Sequence, residues 1–174
     1  YTKAKLIGIT GTNGKTTTTH LVYHILKNAG LRVRMGGNVG KSFAMQVAEE
    51  KNSSPKKAKD VVDYYVLELS SFQLDGMFRT RINVAILTNI TPDHMDRYDY
   101  CMQNYINSKF RITQNQTQED AFIYCADDKI TTKEISKRKF NANLFPFSIK
   151  RKQKMSAYIY NETININISP KKFG

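Results

Sequence analysis

Apolar residues fall in short blocks along this chain, and their spacing alternates between a strand-like and a helix-like period. Lys5 to Thr10 is a continuous apolar run of the buried-strand type. From Lys15 to Ala29 the apolar positions Leu21, Val22, Ile25, Leu26 and Ala29 recur at helical spacing until Gly30 stops the helix. Leu31 to Met35 predicts the next strand, Gly36-Gly37-Asn38-Val39-Gly40 a turn, and Ser42 to Glu50 a helix. A polar insertion, Lys51 to Lys59, carries two Ser, one Pro and four Lys ahead of a strand over Val61 to Leu69. Asn83 to Thr88 predicts a strand, Asn89 to Tyr98 a polar loop, and Tyr100 to Ile112 a helix. Ala121 to Cys125 and Asn143 to Phe147 predict further strands, with a helical crossover over Thr131 to Lys139 between them. Ala157 to Tyr160 and Thr163 to Ile168, around Asn161-Glu162, predict a small antiparallel hairpin. The alternation predicts an α/β fold with a doubly wound, mainly parallel sheet, and residues 151–174 as its edge hairpin and tail. Ligands of such sheets collect beyond the carboxyl ends of the strands, where the unusual turns lie.

Composition narrows the picture. A chain of 174 residues, 40% hydrophobic, buries one core, so the expectation is one domain. Tyr1 in place of a start methionine, and an end at Pro170-Lys171-Lys172-Phe173-Gly174, predict a central piece of a longer protein. The formal charge of +12 suits nucleic acid, a membrane surface or a polyphosphate. The excess, however, collects in Lys51 to Lys59, Lys137-Arg138-Lys139, Lys150 to Lys154 and Lys171-Lys172, in segments that read as loops, helix ends and tails. That placement favours a solvated surface and leaves a basic nucleic-acid-binding module as a remote alternative. No apolar run approaches the ~18 residues of a membrane span, and no signal-like start is present, so the expectation is a cytoplasmic protein with Cys101 and Cys125 as reduced thiols.

The densest chemistry is at Ile7 to Thr19, where an apolar strand breaks into glycines and a Lys-Thr pair opens a helix. Backbone N–H groups there can approach phosphate oxygens, the helix N-terminus adds partial positive charge, Lys15 reaches outer phosphates, and the Thr16 hydroxyl suits Mg²⁺. The glycines fall at Gly8, Gly11 and Gly14, and Ile9 stands where the usual nucleotide loop has its first glycine. Glu68 ends an apolar strand, a costly place for a carboxylate unless a cation meets it or the side chain turns to water. Ser70 and Ser71 follow, suited either to substrate or to capping the next helical turn. His94, between Asp93 and Asp96 in a polar loop after a strand, suits a metal or phosphoryl role, with a structural histidine as the alternative. Lys109 shares a helical stripe with Met102, Tyr105, Ile106 and Phe110. It is therefore either a desolvated, nucleophilic amine or a snorkelling lysine whose stem covers core.

In order along the chain, Thr10 to Thr17, Gly36 to Gly40, Glu68 to Leu74, Asn89 to Tyr98 and Tyr105 to Ile112 resemble the Mur ligases, above all the branch that adds D-glutamate to UDP-N-acetylmuramoyl-L-alanine. The resemblance implies ATP as co-substrate on Gly11, Thr12, Asn13, Gly14, Lys15, Thr16 and Thr17. It implies two Mg²⁺ sites, one on Thr16 and Glu68, the other on His94 and a carbamylated Lys109. Lys15, His94 and Lys109 become the catalytic residues, and Asn38, Ser70 and Ser71 lie toward the muramoyl substrate. The implied reaction forms an amide bond through an acyl phosphate, in peptidoglycan precursor synthesis. UDP-N-acetylmuramoyl-L-alanine and D-glutamate are then the substrates, and a UDP-binding N-terminal domain and a C-terminal domain the intramolecular partners, both beyond this chain. A His-Asn-rich segment that the family places beside the adenine is absent from this stretch. Sister Mur ligases and folylpolyglutamate-synthase-like ligases are the near alternatives.

Overall fold

The computed structural model describes residues 2–52, 61–152 and 154–168. In chain order the elements are β1 (Lys5–Thr10), α1 (Lys15–Asn28), β2 (Val33–Gly37), α2 (Phe43–Asn52), β3 (Tyr64–Glu68), α3 (Ser71–Asp75) and β4 (Val84–Leu87). A 3-10 turn (Met95–Tyr98), α4 (Met102–Phe110), a second 3-10 turn (Arg111–Thr113), β5 (Ala121–Cys125), α5 (Lys129–Lys137), β6 (Asn143–Ser148), β7 (Ala157–Tyr160) and β8 (Thr163–Ile166) follow. These strands form one sheet in the order β2-β3-β1-β4-β5-β6-β7-β8. Every neighbouring pair is parallel except the β7–β8 hairpin, and β7 joins β6 through only Phe147↔Ala157 and Ser148↔Tyr158.

Strand β1 lies between β3 and β4, so the winding reverses there and a crevice opens beyond its carboxyl end. Successive β1 side chains go to opposite faces. Ile7 and Ile9 join Val66 against Val22, Tyr23 and Leu26 of α1, while Leu6 joins the larger cluster that includes Tyr65, Leu74, Tyr105, Phe110 and Phe122. Burying a side chain such as Leu74 or Phe122 contributes about 1.5–3 kcal/mol, and both are fully buried. These strong central strands hold the loops at their carboxyl ends in fixed register.

Several element boundaries differ from the expectation. The stripe on α1 is narrower: Val22 and Leu26 pack on the sheet, but Leu21 and Ile25 are more than half exposed and Ala29 is the C-cap. Neighbouring residues on a helix point about 100° apart, so one flat sheet face cannot take both members of each apolar pair. The second strand starts at Val33, because Arg32 is drawn aside by the Asp63 carboxylate, and it runs on through both glycines. At Gly37 (φ +98°) a Cβ would collide with the Glu68 carbonyl, which makes glycine necessary for that close pairing. The third strand is Tyr64–Glu68 within the longer expected span. The polar loop after β4 contains the 3-10 turn, the helix at Tyr100 to Ile112 is α4 plus the second 3-10 turn, and the crossover helix begins two residues early, capped by Asp128. The insertion Lys51 to Lys59 lies mostly outside the described residues, as do Lys171 and Lys172. Among the described residues no helix is long and apolar enough to cross a membrane.

Candidate functional site

The glycine turn after β1 is braced by the end of β4. Asn89 accepts the Thr12 N–H on its carbonyl (2.9 Å) and the Asn13 N–H on Oδ1 (3.0 Å), and its Nδ2 donates to the Asn13 carbonyl (3.0 Å). Thr88 Oγ1 donates to the same carbonyl at 2.7 Å. Thr12 Oγ1 donates to the Thr91 carbonyl and accepts the Thr91 N–H, both at 3.0 Å. Gly11 (φ +146°) is required here, since a Cβ would run into Thr88 Oγ1. Gly14 is the N-cap of α1 in a left-handed conformation, no side chain caps the helix, and nothing lies within 4 Å of where a Gly14 Cβ would be. The first amides of α1 have neither an intrahelical partner nor a side-chain cap, which makes this turn an anion cradle. Lys15 Nζ donates to the Thr12 carbonyl at 2.7 Å and so lies across the mouth of that cradle.

Beside the cradle, the carboxyl ends of β2 and β3 bring up one acid. Glu68, 2% exposed, accepts Thr16 Oγ1 on Oε2 (2.7 Å) and Asn38 Nδ2 on Oε1 (2.8 Å), while the Asn38 N–H donates to the Glu68 carbonyl (2.8 Å). The side chain does not turn to water. A hydroxyl and a carboxylate next to a phosphate cradle are a hard-oxygen donor set that fits Mg²⁺, which commonly takes one or two protein oxygens and completes its shell with phosphates and water. Among the described residues no group of three or more His, Cys, Asp or Glu converges to form an all-protein cage.

On the opposite wall, α4 delivers Lys109. Its side chain is 2% exposed, donates to the Gly11 carbonyl at 2.8 Å and lies 4.5 Å from the centre of the Tyr105 ring. Burial pushes its pKa down to about 7, the charge of Lys15 adds to that, and Asp93 opposes it. The ammonium does not reach solvent, so the snorkelling alternative does not hold. Tyr105 continues the wall, its hydroxyl 3.1 Å from Thr12 Oγ1.

His94 stands at the rim in a left-handed conformation (φ 52°), about half exposed, with Nε2 3.5 Å from Asp93 Oδ2 and its ring 5.3 Å from that of Phe72. Ser70 makes a capping box on α3: its Oγ accepts the Gln73 N–H (3.2 Å), and Gln73 Oε1 accepts the Ser70 N–H (2.9 Å). Ser71 is buried, and its carbonyl accepts Ser108 Oγ–H at 2.8 Å. The structure thus gathers Thr12, Lys15, Thr16, Asn38, Glu68 and Lys109 around one loop, and leaves His94, Ser70 and Ser71 on its margin. Three contributors escaped the sequence reading. Asn89 is a polar residue at the end of an apolar strand, a detectable signal. Tyr105 was hidden as one more apolar member of the α4 stripe. Tyr98, whose hydroxyl donates to Asp75 Oδ2 (3.1 Å) and approaches Ser108 Oγ (3.3 Å), had no signal in spacing.

Comparison with known proteins adds independent support. The family model described as the Mur ligase middle domain matches residues 9–172. UDP-N-acetylmuramoylalanine--D-glutamate ligase of Bacteroides fragilis is 58% identical over 166 residues, which cover 95% of this chain and 35% of the relative. The enzyme of the same name from Christiangramia forsetii is 53% identical over 173 residues, 99% of this chain and 37% of the relative. The chain therefore spans little more than a third of the length of these relatives. Among solved structures, UDP-N-acetylmuramoyl-L-alanyl-D-glutamate--2,6-diaminopimelate ligase superposes with a TM-score of 0.69 at 21% identity, over 91% of this chain and 34% of that one. MurF ligase from Thermotoga maritima, in complex with ADP, superposes with a TM-score of 0.65 at 20% identity, over 94% and 37%. At these identities the two structures attest the fold. With a glycine cradle at the winding reversal, a Thr-Glu pair beside it and a family match across nearly the whole length, the chain belongs to the Mur ligase family, as its middle domain.

Proposed function

We propose that this chain is the ATP-binding middle domain of a D-glutamate-adding ligase, which joins D-glutamate to UDP-N-acetylmuramoyl-L-alanine in the cytoplasm during peptidoglycan precursor synthesis. The observation that carries this reading is the convergence of Lys15, Thr16, Glu68 and Lys109 on one phosphate cradle, in a chain 58% identical to ligases of that name. The amides of α1 and the Lys15 ammonium hold the β- and γ-phosphates of ATP. Thr16 Oγ1 and Glu68 hold Mg²⁺, and Asn38 fixes the rotamer of Glu68. When bound, Mg²⁺ offsets negative charge on the phosphoryl group as it moves.

A carboxylate is a poor acyl donor, so an oxygen of the substrate carboxylate attacks the γ-phosphorus and the bond to ADP breaks. The D-glutamate amine then attacks the acyl carbon and loses a proton, and inorganic phosphate leaves with one oxygen of the original carboxylate. In this reading Lys109 acts as a carbamate. Its neutral amine would add CO₂ and release a proton, and the resulting anion, with His94 at the rim, would be the pair to hold a second Mg²⁺. A buried amine whose pKa is pushed down to about 7 is neutral far more often at neutral pH than a solvated lysine, and the neutral form is the one the addition needs. The UDP end of the substrate and the incoming amino acid are assigned to domains before and after this chain.

The test is a ligation assay on the full-length protein with ATP, Mg²⁺, UDP-N-acetylmuramoyl-L-alanine and a panel of amino acids, read by product mass and phosphate release. D-glutamate should be the amino acid incorporated. Preference for another amino acid would move the protein to a sister ligase, and ADP formation independent of both substrates would remove the ligase reading.

A further inference from the structure

We propose that a second groove, lined by none of the cradle residues, binds a small organic anion that carries a flat ring. The groove lies where α4 and α5 both end, has a volume of about 380 Å³, and is lined chiefly by Asn107, Phe110, Arg111, Arg138, Lys139 and Phe140. Three of those residues are cations and no lining residue is a carboxylate.

Sequence alone assigns Lys137-Arg138-Lys139 to a solvated, solubilising surface; Lys137 and Lys139 are exposed as that reading expects, whereas Arg138 is not. Arg138 is pinned: Nη2 is 2.9 Å from Oε2 of the buried Glu134 and 2.5 Å from Asn107 Oδ1, and its guanidinium lies 4.5 Å from the centre of the Phe110 ring. The Arg111 guanidinium is fixed by donation to the Leu74 carbonyl (2.9 Å) and the Met77 carbonyl (3.2 Å). Each of these forks has five N–H donors, and the bonds just named leave part of each fork unused. Lys139, exposed at the rim, has no ion-pair partner among the described residues. The half-buried Phe140 ring provides aromatic surface beside the cations, backed by the buried Phe110 ring 6.2 Å away and inclined at 40°. Immobilised guanidinium donors select an anionic oxygen pair, and the Phe140 ring beside them favours a flat ring. The volume is in the range of sites for small molecules. Aromatic carboxylates and aryl phosphate monoesters share that chemistry. The site is separate from the ligase reaction, although Asn107 and Phe110 flank Lys109 on α4.

The experiment uses the full-length protein with its cradle filled by Mg²⁺ and a non-hydrolysable ATP analogue, so that a phosphate probe cannot enter there. Benzoate, phenyl phosphate and benzyl alcohol are titrated by calorimetry and ligand-observed NMR. At least one of the two anions should bind saturably, and the one that binds more tightly identifies carboxylate or phosphate as the natural charge; benzyl alcohol should not bind. Lys139→Glu, at an exposed position, should leave the melting temperature unchanged and weaken the anion about tenfold or more, and Arg138→Gln should weaken it as well. The proposal is overturned if neither anion binds saturably, if benzyl alcohol binds equally well, or if Lys139→Glu leaves the affinity unchanged.

Discussion

Lys109 is a long cation held where water does not reach it, and its one hydrogen bond goes to the carbonyl of the glycine that opens the phosphate loop. A merely structural role would leave such a group better replaced by methionine, because burying an amine with a single acceptor is unfavourable. The account instead predicts that Lys109→Ala in the full-length protein loses turnover on the order of 100-fold or more, the usual scale for removing a positioned electrostatic group. Steady-state kinetics in CO₂-depleted and CO₂-supplemented buffer checks this, and turnover close to that of the parent enzyme in both would reduce Lys109 to a packing residue. Lys15→Ala should weaken nucleotide binding by roughly 10–100-fold, the value of a charge-assisted hydrogen bond, with little change in fold because the Lys15 ammonium bonds the Thr12 carbonyl of its own loop and is not part of the core. Calorimetry with an ATP analogue measures that. At this scale the sequence was informative wherever a residue type was out of place, as with a lysine on an apolar stripe or a glutamate ending an apolar strand. It was silent on Tyr98 and Tyr105, whose hydroxyls find partners more than ten residues away or on another element, and whose rings look like ordinary core.

At the scale of elements, short helices at the strand ends set the geometry of the site. Ser70 stands at the β3–α3 junction, where the role implied by the resemblance (substrate) and the local role (cap) would compete for one hydroxyl, and its present bonds are those of a capping box. Ser70→Ala should therefore lower stability by about 1 kcal/mol, whereas Ser70→Gly should lower it by only a few tenths, because glycine is tolerated at an N-cap. If the KM for the muramoyl substrate rises equally in both variants, the hydroxyl also touches substrate; denaturant titration and kinetics together separate the two roles. On α5, burial would push the Glu134 carboxyl up, but hydrogen bonds from Arg138, Lys137 and Gln103 outweigh it and hold the pKa at about 2, below its ordinary 4.5. A depressed carboxyl stabilises the fold above its unfolded pKa and loses that contribution as pH falls from about 4.5 toward 2. Relative to Glu134→Gln, the parent protein should be about 1–2 kcal/mol more stable at neutral pH, with the difference vanishing near pH 2. A constant difference across that range in urea titrations would contradict the assignment. Element identity was readable from periodicity, but boundaries moved by two or more residues where a side chain captured backbone, as Asp63 does to Arg32 and Asp128 to the start of α5.

For the whole molecule, the decisive feature is the position of β1 between β3 and β4. Strands and helices alternating along the chain were enough to expect a doubly wound sheet with a terminal hairpin, and with it a crevice past the strand ends. The alternation does not reveal which strands become neighbours of β1, nor that Asn89 and Thr91 from β4's far end would lock the glycine turn, because those contacts join residues more than seventy positions apart. The cradle, the Thr16–Glu68 pair and Lys109 all open on this crevice, so the activation of a carboxylate by ATP is the claim on which the rest depends. The direct test uses UDP-N-acetylmuramoyl-L-alanine labelled with ¹⁸O in its carboxyl group, with ATP, Mg²⁺, D-glutamate and the full-length protein, and examines the released phosphate by ³¹P NMR. The account predicts that each inorganic phosphate carries one oxygen from the substrate carboxylate and that ADP is the other product; unlabelled phosphate, or AMP with pyrophosphate, would contradict it.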